Sequence, residues 1–159
     1  MKGQEIREKR EAKFAECDDD LDICTLGVSA AIEGPTVLGA FIADDVNRHI
    51  DKVVDTGHCV RFVQVAANAP HTSKWQEGPK VKGRTDIPVG AAIATFQDGK
   101  YWNKTDGSSH AAIYLGQNEK GIQVADQWKG QPVHERTIRF KDGVGAPHND
   151  GDAFAIVTV

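Results

Sequence analysis

No window of this 159-residue chain approaches the run of about 18 apolar residues that spans a bilayer, which argues against membrane insertion. Nor is there an excess of positive charge. The formal net charge is -4, and apart from a cluster near the N-terminus the lysines and arginines are scattered, so nucleic acid is a poor candidate partner. The opening MKGQEIREKREAKF carries both signs of charge with no apolar core or small-residue cleavage site behind it, so no Sec-type leader is recognisable. That pattern leads us to expect a protein made in the cytoplasm, either retained there or exported intact. Internal repeats and low-complexity segments are also lacking. What remains is the composition of an ordinary globular protein, 40% hydrophobic and 26% charged, short enough for one core and one site. We expect a single domain over 1–159, with 1–42 as an N-terminal segment of unassigned role and 43–159 as the core.

Cysteine is scarce and odd in number, and the three positions differ in kind. Cys17 and Cys24 flank the acidic DDDLDI and can stay as two thiols or close a short disulfide loop, which would imply service outside the cytoplasm. Cys59 stands alone. A lone cysteine is more often core than nucleophile, so its neighbours decide the reading.

The first sixteen residues suit a solvated helix, and 27–43 reads as irregular backbone broken by Gly34-Pro35. Val46, Ile50, Val53 and Val54 recur at helical spacing behind Asp44-Asp45, predicting a helix over 43–54. Asp55-Thr56-Gly57 ends it, and a second, buried helix begins at Cys59, with Val60, Val63 and Ala67 on one stripe. Residues 68–89 hold too many prolines and glycines around Trp75 for a regular element and read as a long loop. Beyond Pro88 come five strand-like runs, Ala91–Phe96, His110–Leu115, Ile122–Trp128, Val133–Phe140 and Phe154–Val159, with turns such as Asp98-Gly99 and Asp142-Gly143 between them. Helices followed by an antiparallel sheet make an α+β fold.

A thiol attacks a carbonyl as thiolate, so it needs a pKa below ~8.5, which a helix N-terminus and a nearby imidazole supply. Cys59 opens a helix; His110 opens a strand after the turn Asp106-Gly107-Ser108-Ser109, where its ring can reach that helix end. The base needs a third group to hold its tautomer. If the turn Gly116 to Gly121 sets Leu115 opposite Gly121, then His110 faces Asp126, whereas a one-residue slip substitutes Gln127. Asp126 is the first choice and Gln127 the reserve. His58, adjacent to the nucleophile, suits a turn or a substrate contact better than the role of base; Trp75 suits either a core anchor or a groove wall; His134 and His148 sit in polar surroundings and read as solvated. A metal site built on His58, Cys59 and His71 lacks the fourth ligand that zinc usually takes, so we expect no metal and no cofactor.

These residues also carry a resemblance. Gly57-His58-Cys59-Val60-Arg61-Phe62-Val63, Ser109-His110-Ala111-Ala112-Ile113-Tyr114-Leu115-Gly116 and Val124-Ala125-Asp126-Gln127-Trp128 resemble the NlpC/P60 and CHAP cysteine peptidases. That resemblance implies a papain-like fold with N-terminal helices packed on an antiparallel sheet. It also implies a Cys59-His110-Asp126 triad, with Trp75, His58 and Gln127 as substrate contacts. Thr72-Ser73-Lys74-Trp75-Gln76-Glu77-Gly78 and Gly90-Ala91-Ala92-Ile93-Ala94-Thr95-Phe96 are similar to the amidase effectors that bacteria inject through type VI secretion. The implied substrate is the stem peptide of peptidoglycan in the periplasm of a target cell, where a Cys17-Cys24 disulfide could form. The implied partners are a cognate immunity protein and a component of the secretion system. A phage endolysin or housekeeping wall hydrolase would use the same triad, and a catalytically dead wall-binding module is the alternative of another class.

Overall fold

The computed structural model describes residues 39–159. Six strands form one antiparallel sheet in the order β1-β6-β2-β3-β4-β5: β1 is Gln76–Lys80, β2 Ala92–Thr95, β3 Ala111–Asn118, β4 Gly121–Trp128, β5 Gln131–Arg139 and β6 Phe154–Thr158. One α-helix, α1 (Cys59–Ala67), packs on β3 and β4. Strand alternation divides the apolar side chains between two faces. Val60, Phe62 and Val63 of α1 meet Ala92, Ala94, Ala111, Ile113 and Ala125 on one face. On the other, Ile93, Ala112, Tyr114, Ile122, Val124, Ile138 and Ile156 are covered by Val81 and Ile87 from the chain between β1 and β2.

The five strand-like runs appear as β2 to β6, and the helix begins at Cys59 as its sequence indicates. Two elements differ. The segment 43–54 forms only a single turn of 3-10 helix, Asn47–His49, so the N-terminal helices of the expected fold reduce, among the described residues, to α1. The cause is a competing use of the backbone. Asp51 N donates to Val133 O at 2.9 Å and Val133 N to Lys52 O at 2.9 Å, which draws this stretch onto β5. Asp51 itself takes φ 64°, outside the helical basin. Val46 and Ile50 still pack inward, which is the burial their spacing encodes. The second difference is β1, inside the supposed loop 68–89. Its Gly78 and Pro79 are tolerated because β1 is an edge strand, irregularly paired with β6 between Glu77 and Lys80. The expected helix in the first sixteen residues and the Cys17-Cys24 pair lie outside the described residues.

Two hairpins place the residues that matter below. Asp98 and Gly99 both have positive φ, 52° and 73°, and close a tight turn between Gln97 and Lys100, which exchange both backbone hydrogen bonds. This turn delivers Tyr101 and Trp102. Between β3 and β4 the turn is tighter than the sequence suggests, with Asn118 opposite Gly121 and only Glu119 and Lys120 between them. Gly121 lies so close to β5 that a Cβ would collide with Ile138 O and sit 2.8 Å from Arg139 Cα. Gly121→Ala should therefore cost about 2–4 kcal/mol by forcing the β4-β5 pair apart, read as a lower urea midpoint with an unchanged m-value. A variant as stable as the parent would show that the strands separate freely there.

Candidate active site

Cys59 is the first residue of α1, and no side chain caps the helix end, so the N–H groups of Cys59 and Val60 lack intrahelical partners. The chain reaches that point through Gly57, whose φ of 83° suits glycine. Gln127 fixes this approach: Val54 N donates to its Oε1 at 2.9 Å, and its Nε2 donates to Val54 O at 2.8 Å and His58 O at 2.9 Å. Gln127 is fully buried. Its amide is committed to backbone, and it lies behind Cys59. Among the described cysteines Cys59 is a free thiol.

His110 precedes β3 directly, so its ring stands at the end of the sheet. Thr95 holds its backbone, accepting from His110 N at 3.0 Å and donating to Ser108 O at 3.1 Å. His110 Nε2 lies 2.7 Å from Asp126 Oδ2, which leaves the other ring nitrogen for the thiol. The third partner is thus Asp126. Its register differs from the expected one: Ile113 faces Ala125, so Asp126 lies across from Ala112 and is a diagonal neighbour of His110 on the same face. At the turn, Asn118 opposite Gly121 sets the opposite parity, which if continued would bring Gln127 round to His110. The irregularity between Tyr114 and Gly116 places Leu115 as an extra residue in β3 and restores the parity.

Arg136, which the sequence reading passed over, binds the same carboxylate oxygen through Nε at 2.9 Å and Nη2 at 2.8 Å. Strand period was the available signal, since Arg136 shares a face of β5 with His134, the residue opposite Asp126. Among the described residues Asp126 Oδ1 is buried without a hydrogen bond, the nearest cation candidate being His134 Nδ1 at 3.8 Å. Burial, the strongest single influence on each of these groups, disfavours charge; the hydrogen bonds and opposite charges overcome it. His110, followed by a backbone N–H and Tyr101, lowers the Cys59 pKa. Asp126 and then Cys59 raise His110 to about 9. His110 and Arg136 hold Asp126 below the ordinary carboxylate range. The resting state this favours is thiolate, imidazolium, carboxylate and guanidinium in alternation.

Tyr101 was also missed. Its hydroxyl lies 4.0 Å from Cys59 Sγ, and burial together with the adjacent thiolate pushes its pKa far upward, so it stays a proton donor. Trp75, expected as core anchor or groove wall, is a buried anchor that also lines the cavity beside Tyr101. It is 3% exposed, Nε1 donates to Pro70 O at 3.0 Å, and its ring supports Tyr101 at 5.0 Å. His58 is exposed beside Cys59. His134 and His148 are less solvated than expected: His134 stacks on Trp128 at 4.9 Å, and His148 Nδ1 donates to Gly107 O at 2.8 Å. His58, Cys59 and His71 do not converge, and among the described residues no three His, Cys, Asp or Glu side chains group as a metal site. A cavity of ≈ 450 Å³ beside Tyr101 is lined by Trp102, Lys100, Gln76 and Thr72. Another, of ≈ 300 Å³, lies beyond His110 against Trp128 and Arg136.

The family described as domesticated amidase effector 2 matches residues 36–157. A type VI secretion amidase effector 2 protein of Salmonella typhi is 44% identical over 105 residues, covering 64% of this chain and 77% of its own length. A domesticated amidase effector 2 of Ixodes scapularis is 39% identical over 105 residues, 64% of this chain and 70% of its own. Among solved structures, a type 6 secretion amidase effector 2 superposes with a TM-score of 0.66 at 32% identity, over 75% of this chain and 94% of the other.

Two measurements follow from the geometry. If Cys59 and His110 work as an ion pair, kcat/KM should climb on an acid limb below the ordinary thiol value of 9.0 as the thiolate forms. It should fall on an alkaline limb near 9 as His110 loses its proton. Asp126→Asn removes a charge that raises His110, so the alkaline limb should move down; a limb that stays in place would disconnect Asp126 from the base. Asp126 and Gln127 should also separate by kind. Activity should order wild type, Asp126→Asn, Asp126→Ala, through kcat. Gln127→Ala instead strips three buried hydrogen bonds and should cost about 2–4 kcal/mol in urea unfolding. A Gln127→Ala protein of parental stability and no activity would reverse the two roles.

Proposed function

The chain belongs to the domesticated amidase effector 2 family, and on that premise we propose that it is a peptidoglycan amidase of the type VI secretion effector kind, cutting a stem-peptide or crosslink amide bond with Cys59 as nucleophile. The observation that carries this reading is the buried line from Cys59 at the mouth of α1 through His110 to Asp126. The relatives named as amidase effectors support the substrate and the route of delivery. The catalytic core lies within 43–159, and the site of action is the periplasm of a target cell.

The chemistry needs only this chain's residues and water. The Cys59 thiolate adds to the amide carbon, forming a C–S bond and an oxyanion. That oxyanion is met by the unpaired N–H groups of the first turn of α1 and by the Tyr101 hydroxyl, which remains protonated beside the thiolate. As the C–N bond breaks, His110 gives its proton to the leaving nitrogen, and a free amine departs from a thioester. Asp126 favours the imidazolium and holds its orientation without taking the proton. Water then attacks the thioester carbon while His110 accepts its proton, the C–S bond breaks, and the new carboxyl group leaves behind the thiolate-imidazolium pair. A cognate immunity protein that blocks the mouth around Cys59 and His110 is part of the same reading.

Cys59→Ala removes the attacking atom and little volume, so it should abolish release of muropeptides from purified sacculi while unfolding like the parent. Muropeptide masses from the active protein then identify the bond. Expression confined to the cytoplasm of a Gram-negative host should be harmless, and targeting the same chain to the periplasm should cause lysis that Cys59→Ala prevents. Equal toxicity in both compartments would point to a target other than the wall.

A further inference from the structure

The mechanism gives the two sides of the site different occupants. The base must protonate the leaving nitrogen, so the amine-side residue of the substrate lies past His110, and the acyl side lies over Tyr101 and the mouth of α1. Beyond His110 is the ≈ 300 Å³ cavity bounded by His110, Trp128, Arg136, His148 and Asn149. We propose that this cavity binds the amine-side residue through a free carboxylate adjacent to the scissile nitrogen, held by Arg136 and Asn149, with its aliphatic part along the Trp128 indole.

The donors can be counted. Of the five N–H groups of Arg136, Nε–H goes to Asp126 and Nη2, which also pairs ionically with Asp126, donates to His148 O at 3.4 Å; Nη1 donates one N–H to Asn149 Oδ1 at 3.0 Å and keeps its second. Asn149 Nδ2 uses one N–H toward His148 Nε2 at 2.9 Å and keeps the other. His148 hydrogen-bonds to Gly107 O and to Asn149, so it braces the loop. Two unspent donors on adjoining residues match the two oxygens of a carboxylate. No acidic side chain lines the cavity, and Asp126 is sealed beneath Arg136 with no exposure. An anion in the cavity therefore meets the free donors of Arg136 and Asn149 and no exposed carboxylate. Trp128 is 42% exposed, with Arg136 stacked on its face at 5.2 Å, and forms the apolar wall opposite the donors.

This inference rests on the amidase reading, so the experiment scores the two separately. The full chain is given a pair of peptide amides that share the acyl side and differ only in whether the amine-side residue carries a free α-carboxylate or a carboxamide; sacculi are digested in parallel. The carboxylate substrate should have a kcat/KM higher by about tenfold, mostly through KM. Asn149→Asp, which replaces a donor with a like charge, should erase that preference. Trp128→Ala should raise KM for both substrates. Digestion of sacculi with a preference under about threefold overturns the inference alone, as does a preference that survives Asn149→Asp. Absence of cleavage with sacculi and amides alike overturns the parent reading.

Discussion

Asp126 and Gln127 are consecutive on β4 and, because a strand turns successive side chains to opposite faces, they reach the two halves of the site from opposite sides of the sheet. Asp126 holds the His110 ring at 2.7 Å, and Gln127 holds the backbone that presents Cys59 with three bonds of 2.8–2.9 Å. One peptide unit thus sets Cys59 against His110. The distance between thiol and imidazole is then fixed by the pleat of β4, and loop conformation has little freedom to alter it. For chemistry in which an ångström of misplacement costs orders of magnitude, that is a stiffer mount than two loops meeting in solvent.

The energetic problem of the site is burial. His110 is 5% exposed and Asp126 not at all, and an isolated charge in either place would neutralise itself. Alternation of sign resolves this. Each of the four groups from Cys59 to Arg136 has an opposite charge on every neighbour it touches, so the attraction exceeds the desolvation that opposes it. Arg136 has a further consequence: by donating to Asp126 Oδ2 beside His110 it helps keep the carboxylate ionised.

The parts of this arrangement that sequence makes legible are those set by local pattern. Val60, Val63 and Ala67 recur at helical spacing after Gly57, and α1 begins at Cys59; alternating runs after Pro88 become β2 to β6. Illegible parts depend on distant chain. Residues 43–54 carry a helical pattern, but hydrogen bonds to Val133 claim their backbone. Pro79 hides β1, which only its edge position excuses. Tyr101 and Arg136 have no motif of their own; each matters because a hairpin or a register brings it beside a charged group. Gln127 bonds to the backbone before Cys59 and Trp75 both supports Tyr101 and lines the cavity beside it, orientations that a large or polar side chain in a motif does not reveal.

The register between β3 and β4 shows how near the site lies to a different one. From the two-residue turn, Asn118 opposite Gly121 defines a pairing in which His110 would share a face with Gln127, a neutral amide unable to favour imidazolium. The extra residue at Leu115 shifts the pairing by one, and from Tyr114 opposite Val124 onward the carboxylate has the face instead. Because the same shift turns Gln127 toward α1, a single bulge assigns both residues at once: with it, charge meets the base and the amide meets the backbone before Cys59. Without it, a carboxylate would be buried against the carbonyls of Val54 and His58, where its charge would be repelled and its oxygens could donate nothing. Compensating substitutions at 126 and 127 alone could restore the two contacts only by exchanging the residues. The bulge is therefore a determinant of the site of the same rank as the residues it orients.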